Sequence, residues 1–532
     1  MYLGDIEVFR TSTAEPTRDG IIWSYVKDMT PFTSLLQGPQ KIIFDLGNIV
    51  DDTYTGLWNT TLTATFFTAE ETFEPADLIL PVSARKSATN EPSAFVVPES
   101  NATNALLLPR NAKKAVFSIS SCGQAAEEFW WSNVLTSDEH AFGNDTTLYG
   151  HSAFRELQLM IDGNLAGVAW PFPVIFTGGI VPGFWRPVVG IDAFDLREDE
   201  IDVTPFIPYL SDGESHTFEI RVVGVDDDGQ GHGSLTTAIE SNWVVTGKLF
   251  LWLDANTTTL AGGLPTIQAP EPSIELRSST QRGPNGTTNS LVYSVEVSRQ
   301  LYIGRSYNTS TYSTSSTWEQ KLSFSNSGTL SNEGNDQVVQ QSTSGSHVSS
   351  SGFQRAFTYP LAVESSYNAV PGGNTTIDGH ITRSKDYQQV GDLAFPNDWQ
   401  TFDYIRLPPA LSNHTFVGAQ TKNWQNGTAS YLSVPAQKKS YGTGRTEQQL
   451  TLSGIDKPPT AVVPGDANQA AQEIYRRYVL ASNDSLVYDD EEFGGRVMGR
   501  SRYTAPNQLA LGRGWNEFAW KGVRALLGRG PL

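Results

Sequence analysis

The segment Glu127-Glu128-Phe129-Trp130-Trp131-Ser132-Asn133 sets two carboxylates among three aromatic rings, a combination suited to acid–base chemistry. Read as a strand, it places Glu128, Trp130 and Ser132 on one face and Glu127, Phe129, Trp131 and Asn133 on the other. A carboxyl beside an indole is desolvated, its pKa rises, and it can hold a proton for a leaving group. A Glu exposed on a strand edge is the plainer alternative. A second acid, Glu139, lies in the polar stretch TSDEHAFGND (136–145), which reads as a loop. Two further loops carry polar and aromatic groups suited to a sugar. RTSTAEPTRDG (10–20) contributes Glu15 and Arg18, and PGFWRPVVGIDAFD (182–195) contributes Trp185, Arg186 and Asp192. Glu15, Arg18, Trp130, Trp185 and Arg186 form a candidate substrate-binding set, although Pro and Gly in both loops also serve plain turn chemistry. The seven His are scattered, no HExxH occurs, and one Cys excludes a thiolate zinc site, so neither a metal nor another cofactor is expected.

The elements that position these groups read as all-β. KIIFDLG (41–47), WNTTLTATFF (58–67), AVFSIS (115–120), FRELQLMIDG (154–163), HTFEIRVVG (216–224) and KLFLWLD (248–254) are short strand-type runs bounded by turn residues. A helical period appears only in QAAQEIYRRYVL (469–480). An internal repeat aligns KDMTPFTSLL (27–36) with IDVTPFIPYL (201–210), and MYLGDIEV (1–8) with MIDGNLAG (160–167). The repeat predicts two tandem jelly-roll-like β-sandwiches, with the two polar loops at equivalent ends of the sandwiches and so placed to line one cleft. The second copy has strands ahead of its MIDG segment, whereas the first starts at Met1, so the first sandwich is expected to be incomplete at its N-terminus. The expected divisions are 1–100 (incomplete first sandwich and linker), 101–265 (second sandwich) and 266–532 (a β-rich accessory region). Within the last, APEPSIEL (269–276) reads as linker and 326–352 as partly mobile loop.

The net charge of −20 makes nucleic acid an unlikely partner by elementary electrostatics. No apolar run is long enough to span a membrane. Ten Asn-x-Ser/Thr triplets, at Asn59, Asn101, Asn144, Asn256, Asn285, Asn308, Asn374, Asn413, Asn426 and Asn483, favour glycosylation in the secretory pathway. A secreted or vacuolar location is therefore expected, the signal peptide having been lost with the start of the first sandwich.

The strings RTSTAEPTRDGIIWSYVKDMTPF, FDLGNIVDDTYTG, EEFWWSN, FRELQLMIDGNLAGVAWPFPVIFTGGIVPGFWRPVVGIDAFDL and EIDVTPF closely resemble the peptide N-glycosidase A family of plants and fungi, most strongly over residues 1–255. The resemblance implies hydrolysis of the amide between Asn and the innermost N-acetylglucosamine of N-glycosylated peptides or glycoproteins. It further implies an acidic working pH and no cofactor. The bacterial peptide N-glycosidase F family is more distantly similar and implies two adjacent jelly rolls. Its catalytic Asp-Arg pair corresponds to a position just upstream of MYLGD, so this chain departs from the pattern there. By the same resemblance the second acid falls on Glu128 or Glu139, and Trp185 and Arg186 contact the inner sugars. A non-catalytic glycan-binding protein and a glycoside hydrolase are the alternatives.

Overall fold

The computed structural model describes residues 1–14, 21–47, 50–52, 55–66, 73–397, 416–455, 472–502 and 510–513. Its described residues form an all-β chain built of antiparallel sheets. At the centre lies a sandwich of two sheets. One runs in the order Asp199–Asp202, Ala112–Gln124, Asn242–Leu253, Leu78–Val82, with Phe95–Val97 also paired to Asn242–Leu253. The other runs Gly233–Thr236, Ser215–Asp227, Glu156–Ile161, Asn164–Ala169, with Ala102–Leu107 on Ser215–Asp227. Their inner faces meet through Phe117 stacked on Phe218 at 6.0 Å. Gly247 lies so close to the Phe117 ring that a β-carbon would clash with it. Because Leu78–Val82 and Phe95–Val97 belong to this sandwich, its boundary lies before residue 78, not at 101.

The repeat is visible in the backbone. In each copy a Thr-Pro-Phe 3-10 turn (Thr30–Phe32, Thr204–Phe206) runs into a one-turn helix (Thr33–Leu36, Ile207–Leu210). In each, an Asp two residues upstream accepts the Thr N–H at 2.9 Å, Asp28 for Thr30 and Asp202 for Thr204. This Asx-type contact is why Asp, Thr and Pro recur together. The second aligned segment is also a hairpin in both copies, Tyr2–Leu3 with Ile6–Glu7 and Glu156–Ile161 with Asn164–Ala169, turning through Gly4 and Gly163 at positive φ.

Residues from 266 onward build one long meander, a thirteen-stranded sheet among the described residues. The first edge pairs Thr266–Gln268 and Ser273–Arg282 with Thr288–Asn308, so of the expected linker 269–276 only 269–272 connects, and 273–276 is already strand. The stretch 326–352 is not a mobile loop but a tight hairpin of Ser313–Ser331 and Asp336–Ser349. Its polarity is consistent with this, because inward amides bond across the strands, as when Asn326 donates to Gln341 at 3.0 Å. The expected helix is instead the strand Gln472–Ser482, with 469–471 outside the described residues. Cross-strand pairs override its helical period: Arg476 meets Glu492 at 2.6 Å and Arg477 meets Asp489 at 2.9 Å. Residues 58–66 form no strand, and Leu62 and Phe66 are exposed, while Phe67 lies outside the described residues.

This sheet is sealed to the sandwich by buried polar contacts. Arg299 pairs with Glu156 at 2.5 Å, and Gln320 bonds both the N–H and the carbonyl of Val168. Asn326 donates to the Trp131 carbonyl, Gln425 to that of Val189, and Thr446 to that of Phe184. These directional contacts act as registration points between the two layers, although Arg299 Nε, Asn326 Oδ1 and Gln425 Oε1 find no partner among the described residues.

Candidate active site

The Glu127–Asn133 segment is not a strand. Ala125, at φ +53°, turns the chain out of the Ala112–Gln124 strand into two 3-10 turns, Ala125–Glu127 and Trp130–Ser132. A helical turn sends successive side chains in different directions, and three large rings use that freedom. Trp130 packs on Trp243 at 6.3 Å, and Phe129 meets Trp131 edge-on at 5.9 Å. Trp130 is 5% exposed, so its ring is core and offers little face to a ligand.

The two glutamates have opposite characters. Glu127 is fully buried and receives Arg155 as a fork, with both N–O distances 2.6 Å. It also accepts the Trp243 indole N–H at 2.7 Å and the Glu240 N–H at 3.0 Å. Burial works to raise its pKa, but Arg155 and these donors outweigh that and hold it below the usual carboxylate value. Glu128 is half-buried with no charged group acting on it, and burial alone pushes its pKa up to about 7. Glu127 is thus a structural anion, and Glu128 is a carboxylic acid at acidic pH.

Arg155 reaches further, donating to the carbonyls of His151 and Ser152 at 2.9 Å each. Those two residues sit consecutively at φ +55° and +57°, a left-handed pair of non-glycine residues that local sterics disfavour. The same loop gathers acids. Glu139 packs an oxygen against Gly150, and the Gly150 N–H is donated to Glu240. Burial, reinforced by Glu139 and Glu127, raises the pKa of Glu240. His151 contacts Asp226 at 2.5 Å. Glu139 therefore belongs with Glu240 and Glu127, and no charge coupling joins it to Glu128. Sequence reading missed Arg155 and Glu240. The available signal for Arg155 was a charged pair, Arg155-Glu156, at the head of the largely apolar strand Glu156–Ile161.

Of the two loops, the described flanks do meet. Ser12 donates its N–H to the Ala193 carbonyl at 2.7 Å, and Leu196 donates to that of Arg10 at 3.0 Å. Tyr25 and Lys27 both bind Asp195, at 2.9 and 2.7 Å. Glu15 and Arg18 lie outside the described residues. Trp185 is buried beside Phe184, with its indole N–H donated to the Gly179 carbonyl at 2.7 Å. It is core at the junction with the long sheet, so it offers no face for a sugar. Arg186 lies 4.0 Å from Asp484, at the edge of that sheet. Asp192, at φ +62°, is ion-paired with Lys385.

Beneath these loops the outer face of the first sandwich sheet is polar. Arg10 forks onto Glu7, both distances 2.7 Å, and donates to the Val244 carbonyl at 2.7 Å. Thr246 also donates to Glu7, while Lys248 pairs with Glu198 at 2.8 Å, fully buried. Burial would raise the pKa of Glu7, but Arg10 and Lys248 hold it down at about 2. Ser118, Ser120, Thr246 and Lys248 alternate with the apolar residues of their strands, which was the legible signal of a second, polar packed face.

Comparison with known proteins defines the class. Residues 1–270 match the family model described as peptide N-acetyl-beta-D-glucosaminyl asparaginase amidase A, and residues 292–361 match that described as the PNGase_A C-terminal domain. The chain belongs to this family. It is 36% identical over 359 residues to the peptide-N4-(N-acetyl-beta-glucosaminyl)asparagine amidase A of Prunus dulcis. That alignment covers 64% of this chain and 59% of the Prunus protein, so the chain spans somewhat under two thirds of that relative. No solved structure matches.

Proposed function

We propose that this chain hydrolyses the amide between Asn and the innermost N-acetylglucosamine of N-glycosylated peptides, leaving Asp in the peptide and releasing the glycan as a glycosylamine. The observation that carries the reading is Glu128, a partly desolvated carboxyl with no ionic partner, within the region that matches the amidase family. Water adds to the Asn side-chain carbonyl carbon, and the C–N bond then breaks as the departing nitrogen takes a proton. Glu128 is assigned as that proton donor, since a pKa of about 7 keeps it protonated in acid. Glu139 and Glu240 flank the Gly150–Ser152 loop and are the acids we assign to orienting the water. Glycopeptides are the substrate class, and passage through the secretory pathway is the proposed route, supported by exposed sequons at Asn59, Asn101, Asn144, Asn256, Asn285 and Asn308. Asn374, Asn426 and Asn483 are half-buried, and Asn413 lies outside the described residues. Among the described residues no helix is long and apolar enough to cross a membrane.

The test is mass spectrometry of a defined glycopeptide after incubation at acidic pH. Asp in place of Asn, with the whole glycan released, is the expected result. A retained N-acetylglucosamine would instead indicate a glycoside hydrolase, and an unchanged glycopeptide a binding protein.

A further inference from the structure

A groove of about 700 Å³ crosses the long sheet, away from the acids discussed above. Its floor includes a row of directly paired residues on successive strands. Glu364 pairs with His380, His380 with Thr428, Thr428 with Arg445, and Arg445 with Ser482. Paired residues in an antiparallel sheet share a face, so these five side chains project together. The next row along the strands points the other way: Val363 and Ile381 are buried, and Thr446 bonds the Phe184 carbonyl.

The neighbouring row on the groove face is already satisfied, with Ser366 donating to Asp336 and Ser430 to Asp378, both at 2.6 Å. The side chains of Glu364, His380, Thr428 and Arg445, by contrast, have no hydrogen-bond or ion-pair partner among the described residues. Strands lie ~4.8 Å apart, so Glu364 to Arg445 spans roughly 14 Å. The row offers an acceptor at one end, a donor at the other, and groups of both kinds between them. The opposite charges at its ends give no excess to attract a phosphate. The described lining contains no Phe, Tyr or Trp, and Val338 and Ala429 are its only apolar side chains, too few to form a pocket for a large peptide side chain. A neutral ligand dense in hydroxyl groups matches this pattern, and a linear stretch of a few sugar units matches its length.

We propose that this groove is an oligosaccharide-binding site, and, resting on the amidase reading, that it takes the outer part of the substrate's N-glycan. The same chemistry has a second source, because Asn426 lies on the same face two residues from Thr428 on its strand. A glycan attached there would reach the groove.

The test uses the full chain, with a free N-glycan oligosaccharide released from a glycoprotein as titrant. Glu364→Gln, Arg445→Ala and the double variant alter exposed positions, and unchanged thermal stability verifies folding. The double variant is expected to bind the oligosaccharide at least tenfold more weakly. Its kcat/KM should fall similarly on a glycopeptide with a full glycan, yet stay unchanged on one bearing a single N-acetylglucosamine. Binding that appears only in Asn426→Gln, and is lost again on adding Glu364→Gln and Arg445→Ala, assigns the groove to the chain's own glycan. Equal oligosaccharide binding by the wild type and double variant, or no binding with Asn426 either intact or replaced, overturns the proposal. The binding arm decides the groove even if no glycopeptide is cleaved, so its failure is distinguishable from failure of the amidase reading.

Discussion

Glu127 and Glu128 are neighbours with opposite assignments, and exchanging each for Gln separates them. Glu127→Gln removes one charge of a fully buried pair and strands the Arg155 guanidinium, with both side chains at 0% exposure. Breaking such a pair costs about 3–5 kcal/mol. For a cooperative unit of 532 residues each kcal/mol shifts the midpoint of thermal unfolding by about 1 °C, so it should fall by roughly 3–5 °C. Because the Glu127 pKa is depressed, its stabilisation is present at neutral pH and is lost as acid protonates it. Glu128→Gln has the opposite sign. Raising a carboxyl from 4.5 to about 7 makes the folded state bind the proton more tightly. The contribution is fully present below about pH 4.5 and lost as pH rises through 7, and its ceiling is about 3 kcal/mol. The amide carries no such dependence, so Glu128→Gln should match wild type at low pH and exceed its stability at pH 8 by about 1–3 kcal/mol. Its amidase turnover should meanwhile drop by roughly two orders of magnitude or more. Urea unfolding at pH 4.5 and pH 8, with kcat measured on a glycopeptide, reads all of this. Equal destabilisation by both substitutions at both pH values would refute the division of roles, and normal turnover in Glu128→Gln would remove it as the proton donor.

Trp185→Ala should act as a core deletion, costing about 3–5 kcal/mol by chemical denaturation. KM for glycopeptide should change little at temperatures where the variant is folded, and a raised KM at unchanged stability would return Trp185 to the ligand. Asp199 and Glu200 face Arg355 across the junction between sandwich and long sheet, around a cavity of about 20 Å³ that His347 and Tyr359 also line. Burial lifts their pKa values to about 6 and about 7, against the opposing pull of Lys385 and Arg355 on Asp199, and of the Ala394 and Phe395 N–H groups and Arg355 on Glu200. Their contribution is therefore fully present below about pH 4 and lost as pH rises through 6 to 7. The double variant Asp199→Asn/Glu200→Gln should flatten the decline of the urea midpoint between pH 5 and 8, and an unchanged slope would contradict the burial argument.

The sequence made the β class and the repeat legible because both rest on local chemistry. Asp-x-Thr-Pro-Phe specifies an Asx-capped turn wherever it occurs, and Gly4 and Gly163 mark the same hairpin position in each copy. The errors arose where tertiary contacts decide. A two-residue periodicity in Glu127–Asn133 is meaningless once Ala125 leaves the strand at positive φ, and nothing local marks that turn. The same holds for QAAQEIYRRYVL, whose charges find partners only on the strand Ser485–Phe493. Of the candidate site, Glu128 was readable from its aromatic setting, although the reason differs. Its carboxyl is desolvated in a segment that runs between two 3-10 turns, not as the same-face neighbour of Trp130 on a strand.

The burial of Trp185 also changes what the C-terminal half is for. A separable accessory domain would leave the Pro182–Trp185 turn facing solvent. Instead Gly183 sits so tightly against Gly444 and Thr443 that a β-carbon on either glycine would collide with the other segment. Phe184 fills the space left by Gly379 and Gly427. Four glycines, one on the turn and one on each of three strands, thus let the turn sink into the long sheet, and the same turn leads to Arg186 beside Asp484. The loop between Ile175 and Asp195 meets the first-copy segment through Ala193 and Asp195, and the long sheet through Phe184, Val189 and Asp192. That loop is held from both sides. A truncation before residue 266 would expose Phe184, Trp185 and the Glu156 carboxylate that Arg299 now neutralises. The long sheet is therefore part of the unit that shapes the site.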